Sequence, residues 1–570
     1  MNNNRYPGLR TSLIFQACCL AFLSVPALAA PQPPTAGTVL ESVKEAPKAA
    51  KPDAQVIEKN PAAEAPSSAP LGVATLRVNG YHITGNTVFT EQKLLSLLTN
   101  FSGKDLTLDS LNDAAETIKG YYRDHHYFLA QAYLPPQRIA NGMVEIRVLE
   151  GKLGKANVKM DKKARLKESV ARNYLDALMP AGSAITESNI EKPLLLINDL
   201  PGVIVRSTLK PGAQVGEADL DVAISDDGKK FDGSVQLDNM GNRNSGTNRI
   251  GATVNGRNLT GLGDLLSVHG LIAEKSETKL GQLSYTMPIS SYGTKVTGSF
   301  TDLTYKLGGS FANLNADGDA KVYALTAQHP LQRSRNNNLF VLWGYQHKDL
   351  TDRRTNGLEV DKHRIDDMVF GLMGDSRDGL LGGALNSFNL MPTVGHHNWG
   401  QGSINDSTYH TAGSFSKLDV DYKRLQNVVS NTTLLLSVSG QVASKNLTSA
   451  EKMSLGGPDG VRAHPVGEAS GDDVALGTLE LRRIVSGVRP LGGVLQFSAF
   501  YDYGYSHLNH NPNLNSSDPT HRTLQGYGVG VNLGKRDNFL FKLDLAFRTG
   551  EHSTDDDSSH RIWAQAIKWF

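Results

Sequence analysis

Two stretches of the chain decide its fold: residues 454–483 read SLGGPDGVRAHPVGEASGDDVALGTLELRR, and residues 499–504 read AFYDYG. The first begins as a long glycine-rich segment that has no hydrophobic face and contains one arginine, Arg462. The second is an alternating segment whose polar face carries one carboxylate, Asp502. A loop cation and a strand carboxylate are candidates for an ion pair.

The sequence around these stretches alternates between apolar and polar residues from position 230 to position 570. In 542–548, for example, Leu543, Leu545 and Phe547 face one way, and polar residues occupy the positions between them. A half-buried β-strand has this period of two. A soluble β-sandwich alternates in the same way as a membrane barrel, so alternation leaves both classes open.

The connections between the strands decide between the two classes, because short turns and long polar loops follow one another in turn. We assign short turns to 259–263, 332–338, 426–431, 486–493 and 534–538, and long loops to 349–365, 394–410, 446–473, 506–522 and 551–560. This asymmetry is typical of a transmembrane barrel. The sequence therefore predicts a mainly β protein with a 16-stranded antiparallel transmembrane β-barrel over 230–570. Side chains alone do not fill a barrel of that size, so a plug is expected.

Two α/β modules precede the barrel, at 73–152 and 153–228. Each reads as strand, two helices and two strands (βααββ), and helical spacing is clear at Leu111, Ala115, Ile118 and Tyr122. In the first module we predict closing strands at 128–134 and 143–149, joined by a hairpin turn at Asn141-Gly142.

Residues 1–30 have the pattern of a secretory signal, with a charged start, an apolar run and Ala27-Leu28-Ala29 as the cleavage site. The alternative, a membrane anchor, is weaker because the apolar run is too short to span a bilayer. Both cysteines, Cys18 and Cys19, fall inside this segment, so we expect no disulfide or thiolate site in the mature chain. Residues 31–72 predict a linker, within which 37–50 form either a short helix or a disordered segment.

Composition and motifs give no support for nucleic-acid binding or for catalysis. Loss of Arg5 and Arg10 with the signal changes the net charge from +1 to −1, which gives no electrostatic reason to bind nucleic acid. The histidine pairs 125–126 and 396–397 lack metal-ligand spacing, and the glycines at 526, 528 and 530 lie in a strand segment rather than a nucleotide loop. We predict no catalytic residues, no metal site and no cofactor.

Alternation also assigns faces to the residues near the two opening stretches. It places Asp502, Glu480 and Arg482 inside the barrel and the loop 446–473 at its outer end. Gly456-Gly457 would let this loop bend back into the lumen. If it does, Arg462 meets Asp502; the alternative is a solvated surface arginine and a lumen carboxylate that faces water.

The chain resembles a known family over about residues 72–570. The motifs are ITGNTVF (83–89), YLPPQRIANGMVEIRVLEG (133–151), INDLPGVIV (197–205), LDNMGNRNSGTNRIG (237–251), GGPDGVRAHPVGEASGD (456–472), LELR (479–482) and FYDYG (500–504). Together they resemble the outer-membrane transporters of two-partner secretion, the TpsB family, in which two POTRA domains precede a 16-stranded barrel.

The resemblance implies roles for particular residues. The tip of the surface loop, Val461-Arg462-Ala463-His464, would fold into the pore, with Arg462 against Asp502. Ala463 and His464 replace the glycine and tyrosine usual at this tip, so the packing of the tip is open. His464 would either make the contact pH-sensitive or, as we expect, be a solvated histidine. The helix at 37–50 would plug the pore.

The resemblance also implies a function: export of a large TpsA-type exoprotein, such as an adhesin, a haemolysin or a contact-dependent toxin, by a transporter without enzyme activity. The expected location is the Gram-negative outer membrane with the POTRA domains in the periplasm. Expected partners are the exoprotein, membrane lipids, periplasmic chaperones and the barrel-assembly machinery. Residues 564–570 resemble the C-terminal aromatic signal that this machinery recognises. The alternatives are an assembly factor for barrel proteins, a structural scaffold that tethers partners, and a passive porin. A porin would not need the periplasmic modules.

Overall fold

The computed structural model describes residues 33–43, 57–58, 75–400, 409–512, 519–553 and 558–570. The expected signal segment 1–30 lies outside the described residues, as do positions 44–50 of the expected plug helix. No helix in the described ranges is long and apolar enough to cross a membrane.

A short helix opens the described chain. Helix α1 spans Ala36–Ser42 and so begins one residue before the expected range. The Thr35 hydroxyl accepts from the Thr38 N–H, and the Thr38 hydroxyl accepts from the Thr35 N–H over 2.8 Å. This reciprocal capping satisfies amide groups that a helix start leaves unpaired. Strand β1, Ile57–Glu58, is the next described piece of the linker.

The first module buries one face of a long helix on a small sheet. Its elements are β2 Leu76–Val78, β3 Gly80–Thr84, α2 Glu91–Ser96, β4 Lys104–Leu106, α3 Leu108–Asp124, β5 Gln131–Tyr133 and β6 Met143–Leu149. Strand β6 lies between β3, to which it is parallel, and β5, to which it is antiparallel. The four positions of α3 that share helical spacing are buried as predicted: Leu111, Ala115, Ile118 and Tyr122.

Two details of this module differ from the prediction. Strand β4 was not predicted, because it has three residues, of which only Leu106 is buried, and so shows no period. The expected strand 128–134 shrinks to β5, and Asn141-Gly142 ends a longer connection, 134–142, instead of forming a two-residue hairpin turn. Both turn residues do have positive φ, 56° and 67°, as their sequence favours.

The second module has the predicted βααββ order. Its elements are β7 Lys152–Met160, α4 Glu168–Leu178, α5 Glu187–Asn198, β8 Val203–Pro211 and β9 Glu217–Asp226. The sheet order is β1-β8-β9-β7, so the linker strand β1 lies on the outer edge of β8. The pairing of β1 with β8 is parallel and joins Ile57 to Ser207 and Glu58 to Thr208.

The rest of the chain forms a closed barrel of 16 antiparallel strands, which confirms the predicted fold class. The last strand pairs with the first, from Ser234 opposite Trp569 to Asp238 opposite Gln565. The strands are β10 Phe231–Asp238, β11 Arg249–Arg257, β12 Leu265–Ala273, β13 Thr278–Pro288, β14 Lys295–Lys306, β15 Asp317–Arg333, β16 Asn337–Arg354, β17 Glu359–Asp378, β18 Ala384–Trp399, β19 Gly413–Val429, β20 Thr432–Ala443, β21 Asp473–Ile484, β22 Val494–His507, β23 His521–Lys535, β24 Phe539–Gly550 and β25 His560–Trp569.

One expected long loop is wrong, and the first six residues of another, 394–410, belong to strand β18. Residues 349–365 belong to β16 and β17, and only 355–358 connect the two strands. The segment is polar because its outward side chains pair across the strands: Arg364 contacts Asp349 at 3.0 Å, and the Asp366 carboxylate contacts His347 at 2.7 Å. Polar residues that pair across two strands give these strands the composition of a loop. The loop prediction at 349–365 was wrong for this reason.

The second module is docked on short turns of the barrel. Arg333 at the end of β15 makes two hydrogen bonds to the Asp199 carboxylate, at 2.8 and 2.9 Å, and Arg335 contacts Glu191 at 2.9 Å. Apolar packing adds to this, since a Cβ on Gly293 would meet Leu196 at 2.8 Å. The module therefore lies against the end of the barrel at which these turns are located.

Candidate functional site

The connection 444–472 between β20 and β21, here called the pore loop, folds into the lumen. Its apolar residues Leu455 and Val461 are fully buried. The loop turns back on itself where the Val461 N–H donates to the Leu455 carbonyl over 2.7 Å. Gly460 is required in this turn, because an added Cβ would lie 2.0 Å from the Leu455 oxygen. The turn brings the tip, Val461-Arg462-Ala463-His464, to the barrel wall.

The structure places Arg462 against Asp502. Two nitrogens of the guanidinium, Nε and Nη2, donate to the two carboxylate oxygens over 2.9 Å each, and the Arg462 backbone N–H donates to the same carboxylate over 3.2 Å. Nη1 donates to Glu480 over 2.8 Å. Both carboxylates face inward, as alternation predicted, and Asp502 is fully buried. A planar fork that meets two fixed carboxylates gives strong and directional hydrogen bonds.

Two aromatic side chains hold the arginine from other directions. The guanidinium carbon lies 3.3 Å from the centre of the Phe500 ring, a cation–π contact shielded from solvent. The indole Nε1 of Trp563 on β25 donates to the Arg462 carbonyl over 2.7 Å. The hydroxyl of Thr478 completes the shell of Asp502 at 3.0 Å. The tip is thus held through side chain and backbone at once.

The charges nearest to the Arg462 guanidinium balance one another. Arg482 donates to Glu480 over 2.8 Å, and Lys542 lies 3.1 Å from Asp544, which is also 3.9 Å from Arg462. Three cations, Arg462 included, and three anions, Asp502 included, therefore meet around this side chain. A buried charge is tolerated only with partners of opposite sign, so removal of the loop arginine leaves the wall carboxylates in excess.

Strand β23 makes room for the tip with three inward-facing glycines. A Cβ on Gly526 would lie 2.3 Å from the Ala463 Cβ, and a Cβ on Gly528 would lie 2.4 Å from the Phe500 ring. A Cβ on Gly530 would lie 2.4 Å from a carboxylate oxygen of Asp544. The three positions form a groove that only glycine leaves open. They lie in a strand, as predicted, and their spacing of two was the signal that could have revealed the groove.

The two unusual residues of the tip are both accommodated. Ala463 does not have a positive φ, so glycine's conformational freedom is not needed there; its side chain packs on Phe500 and Ala546. His464 is fully buried, and its Nδ1 lies 3.1 Å from the Ser553 hydroxyl. The expectation of a solvated histidine is therefore wrong, because the inward path of the loop removes this residue from water.

The other predicted loop residues have structural positions. Gly456 pairs with Val461, and a Cβ there would lie 2.2 Å from the Pro465 carbonyl. Gly457 has φ of 123°, which few other residues adopt. Sequence reasoning did not single out Phe500, Asp544 or Trp563, although each lies on the inward face of its strand. In the described ranges no group of three or more potential ligands is arranged to hold a metal ion.

Helix α1 lies in the lumen beside the pore loop. Its residues Ala36, Val39 and Leu40 pack into one cluster with the inner wall and with Leu447 and Ala450 of the loop. The Ala36 N–H donates to Asp352 of β16 over 2.8 Å. At the other end, Arg249 of β11 donates to the Ser42 carbonyl over 3.1 Å. The helix therefore reaches across the barrel, and helix and loop together close its outer part.

Below them the lumen is open. A cavity of about 1560 Å³, here called the vestibule, extends from the pore loop at Pro458 to the second module at Asp199. Its wall carries charges of both signs, such as Arg249, Asp421 and Lys423. The barrel thus encloses a wide space whose outer part is filled by two elements, one contributed by the linker and the other by a loop.

These features define a class of protein, an outer-membrane β-barrel transporter with periplasmic POTRA domains. Residues 216–533 match the family described as haemolysin secretion/activation protein ShlB/FhaC/HecB, and residues 76–151 match the ShlB-type POTRA domain. The chain belongs to this family, whose members are the transporters of two-partner secretion and export TpsA-type exoproteins across the outer membrane.

Individual relatives support the assignment. The heme/hemopexin transporter protein HuxB of Haemophilus influenzae strain 86-028NP is 29% identical over 98% of this chain and 99% of its own length. The outer membrane transporter CdiB of Dickeya dadantii is 22% identical over 79% of each chain. Among solved structures, CdiB from Escherichia coli shares the fold with a TM-score of 0.72 at 20% identity, covering 90% of this chain and 93% of that one.

Proposed function

We propose that this protein binds the N-terminal secretion domain of one large exoprotein in the periplasm and passes the unfolded chain through its barrel to the cell surface. The observation that carries the proposal is the closure of the lumen by helix α1 and the pore loop, above a vestibule that opens to the second module. If both elements moved, an extended polypeptide could pass. A wall with charges of both signs suits a client of mixed composition.

Capture of the client by strand addition is supported by the edge of β8. Ile57 and Glu58 of the linker already lie on this edge in parallel pairing. A sheet edge offers backbone N–H and C=O groups to an extended chain, and the linker occupies this one at Ser207 and Thr208. A segment of the client would use the same groups in the periplasm, next to the vestibule.

The comparisons favour one kind of cargo. HuxB, a heme/hemopexin transporter protein, aligns with almost the whole chain at 29% identity, whereas CdiB aligns with less of it at 22%. We therefore propose an exoprotein related to heme or hemopexin use rather than a contact-dependent toxin. Mass spectrometry of the medium before and after deletion identifies the exoprotein, and heme-agarose tests its binding.

Deletion of the protein is the direct test of export. The large exoprotein should disappear from the medium and cell surface, and a copy of the transporter in trans should restore it. Persistence of the exoprotein in the medium would end the transport proposal. A general loss of barrel proteins from the outer membrane would instead favour the alternative role, an assembly factor.

A further inference from the structure

A second buried ionic cluster holds the pore loop to a different sector of the wall, formed by β16, β17 and β19. Glu451 of the loop lies between Lys348 and Lys417; it accepts a hydrogen bond from Lys348 and lies 3.1 Å from Lys417. Lys348 also contacts Asp367 at 2.8 Å. We call these four residues the Glu451 cluster. The loop supplies the anion here, whereas at Arg462 it supplies the cation.

The Glu451 cluster is closed to solvent and balanced in charge. Glu451 is 2% exposed and Asp367 is 1% exposed. The Lys417 amine also donates to the Glu451 carbonyl over 3.0 Å, and it lies 3.4 Å from Gln441 and 3.7 Å from Asp419. Glu41 of helix α1 is a further anion that acts on Lys417. Neutralisation of Glu451 would leave two lysines against Asp367 and the more distant Asp419. A buried, partly unpaired lysine is costly, so the closed position of this part of the loop would be lost.

The same part of the loop touches helix α1. The Ser449 hydroxyl lies 2.6 Å from the Thr35 hydroxyl that caps the helix. A Cβ on Gly37 would lie 2.4 Å from the Ala450 nitrogen, so helix and loop are in backbone contact. The helix start is bound to Asp352, which lies four residues after Lys348 on the inward face of β16. One strand therefore holds the loop and the helix side by side.

We propose that Glu451 is a positioning residue that fastens the pore loop and helix α1 to β16 as one unit. Release of Glu451 frees the helix, whereas release of Arg462 frees only the tip of the loop. The inference deepens the proposed function, because it concerns how the passage for a client is kept closed. Its test needs no client, so it can fail or succeed independently of export.

The experiment measures access to the helix. Leu40 is 8% exposed in the closed pore, and the chain has no cysteine after Cys19. In the full-length protein carrying Leu40→Cys, reconstituted in liposomes, Glu451→Gln should speed labelling by a membrane-impermeant maleimide by more than about tenfold. It should also raise the single-channel conductance in planar bilayers.

The matched control is Glu468→Gln, in the same loop. Glu468 is buried to a similar degree and lies 3.1 Å from Arg522, on β23 and not on the strands of the Glu451 cluster. The control and Asp502→Asn should both leave Leu40→Cys labelling near the parent rate. Heat-modifiable migration on gels verifies that each barrel is folded, and Lys417→Met, which keeps the Lys348 contact, should give an intermediate labelling rate.

Two results would overturn the proposal. The first is that the Glu451→Gln and Lys417→Met variants both fold and their Leu40→Cys side chain is labelled at the parent rate. In the other, Glu468→Gln or Asp502→Asn speeds labelling as much as Glu451→Gln does, which would mean that any loosening of the loop frees the helix. If Glu451→Gln does not fold, the comparison of Lys417→Met with Glu468→Gln decides the question.

Discussion

The indole of Trp563 donates a hydrogen bond to the backbone carbonyl of Arg462 over 2.7 Å, so the last strand of the barrel holds the tip of a loop that begins over a hundred residues earlier. Strand β25 also closes the barrel against β10. The tip thus contacts the wall from β21 to β25, next to the seam of the barrel. Opening of the loop at this point would remove a support from the seam.

Loss of the Arg462–Asp502 pair should reduce secretion strongly. Removal of one partner from a buried ion pair costs about 3–5 kcal/mol. Here it leaves either the Asp502 carboxylate without its cation or Arg462 with Glu480 as its remaining close carboxylate. Arg462→Ala and Asp502→Ala should therefore lower the amount of exoprotein in the medium while the barrel still inserts and resists heat. Trp563→Phe, which removes one hydrogen bond, should have a smaller effect of about 1–3 kcal/mol on tip closure.

The control for this experiment is the pair Arg364 and Asp349, which are 3.0 Å apart on the outer surface and are more than 40% exposed. An exposed pair contributes about 0–1 kcal/mol, so alanine at either position should leave secretion unchanged. Equal secretion by the Arg462, Asp502 and control variants would exclude the tip from the mechanism.

The glycine groove of β23 should not tolerate a methyl group. Gly526→Ala places a Cβ within 2.3 Å of the Ala463 Cβ, and such overpacking costs about 1–3 kcal/mol. We expect the tip to be displaced, which external protease detects as faster cleavage of the pore loop. Gly477→Ala is the matched control, because nothing lies within 4 Å of its added Cβ. Similar cleavage rates for both variants would argue against the groove.

The contact between Arg333 and Asp199 should keep the second module docked. The pair is bidentate and mostly buried, with side chains 12% and 22% exposed, so its loss should cost about 1.5–3 kcal/mol. Asp199→Ala should raise the rate of limited proteolysis in α5 by about tenfold or more.

The exposed helical pair Arg172 and Glu168 provides the comparison for this docking contact. Pairs of this kind contribute about 0.3–0.5 kcal/mol, so Glu168→Ala should change proteolysis little. A double-mutant cycle of Asp199→Ala and Arg333→Ala measures the coupling. A coupling near zero would mean that apolar packing alone docks the module.

The first module should lose stability in acid through Glu150. Burial alone would raise the pKa of the Glu150 carboxyl, but hydrogen bonds from Thr87, Val88 and Tyr122 outweigh it and hold the pKa below its usual value. A lowered folded-state pKa stabilises the fold above the unfolded value of about 4.3, and this contribution is lost as the pH falls through the folded value.

Hydrogen exchange at the Thr87 and Val88 amides, corrected for its intrinsic pH dependence, measures this effect. Protection should fall between about pH 5 and pH 3 in the parent protein. In Glu150→Gln it should be lower at neutral pH and nearly independent of pH in that range. Unchanged protection of the parent at low pH would mean that the carboxylate is not what holds the 83–89 segment.

The sequence predicted those features of the fold that depend on the pattern of neighbouring residues. Period-two alternation assigned Asp502, Glu480 and Arg482 to the inward side of their strands, and the order of short and long connections led to the correct strand count. The same reasoning failed at 349–365, where cross-strand pairs make a strand as polar as a loop. It also failed for β4, which is too short to show a period.

Alternation, turn spacing and helical periodicity are properties of neighbouring residues, and they sufficed for two α/β modules followed by a closed barrel. They could not decide whether Arg462 and His464 lie in water or against the wall. They also could not predict the contact between Glu451 and Lys348, which are 103 positions apart in the sequence. An inward residue has the same period whether it faces water or a partner. The partner depends on the path of the pore loop, and that path is set by packing against the groove, the aromatic rings and the plug helix.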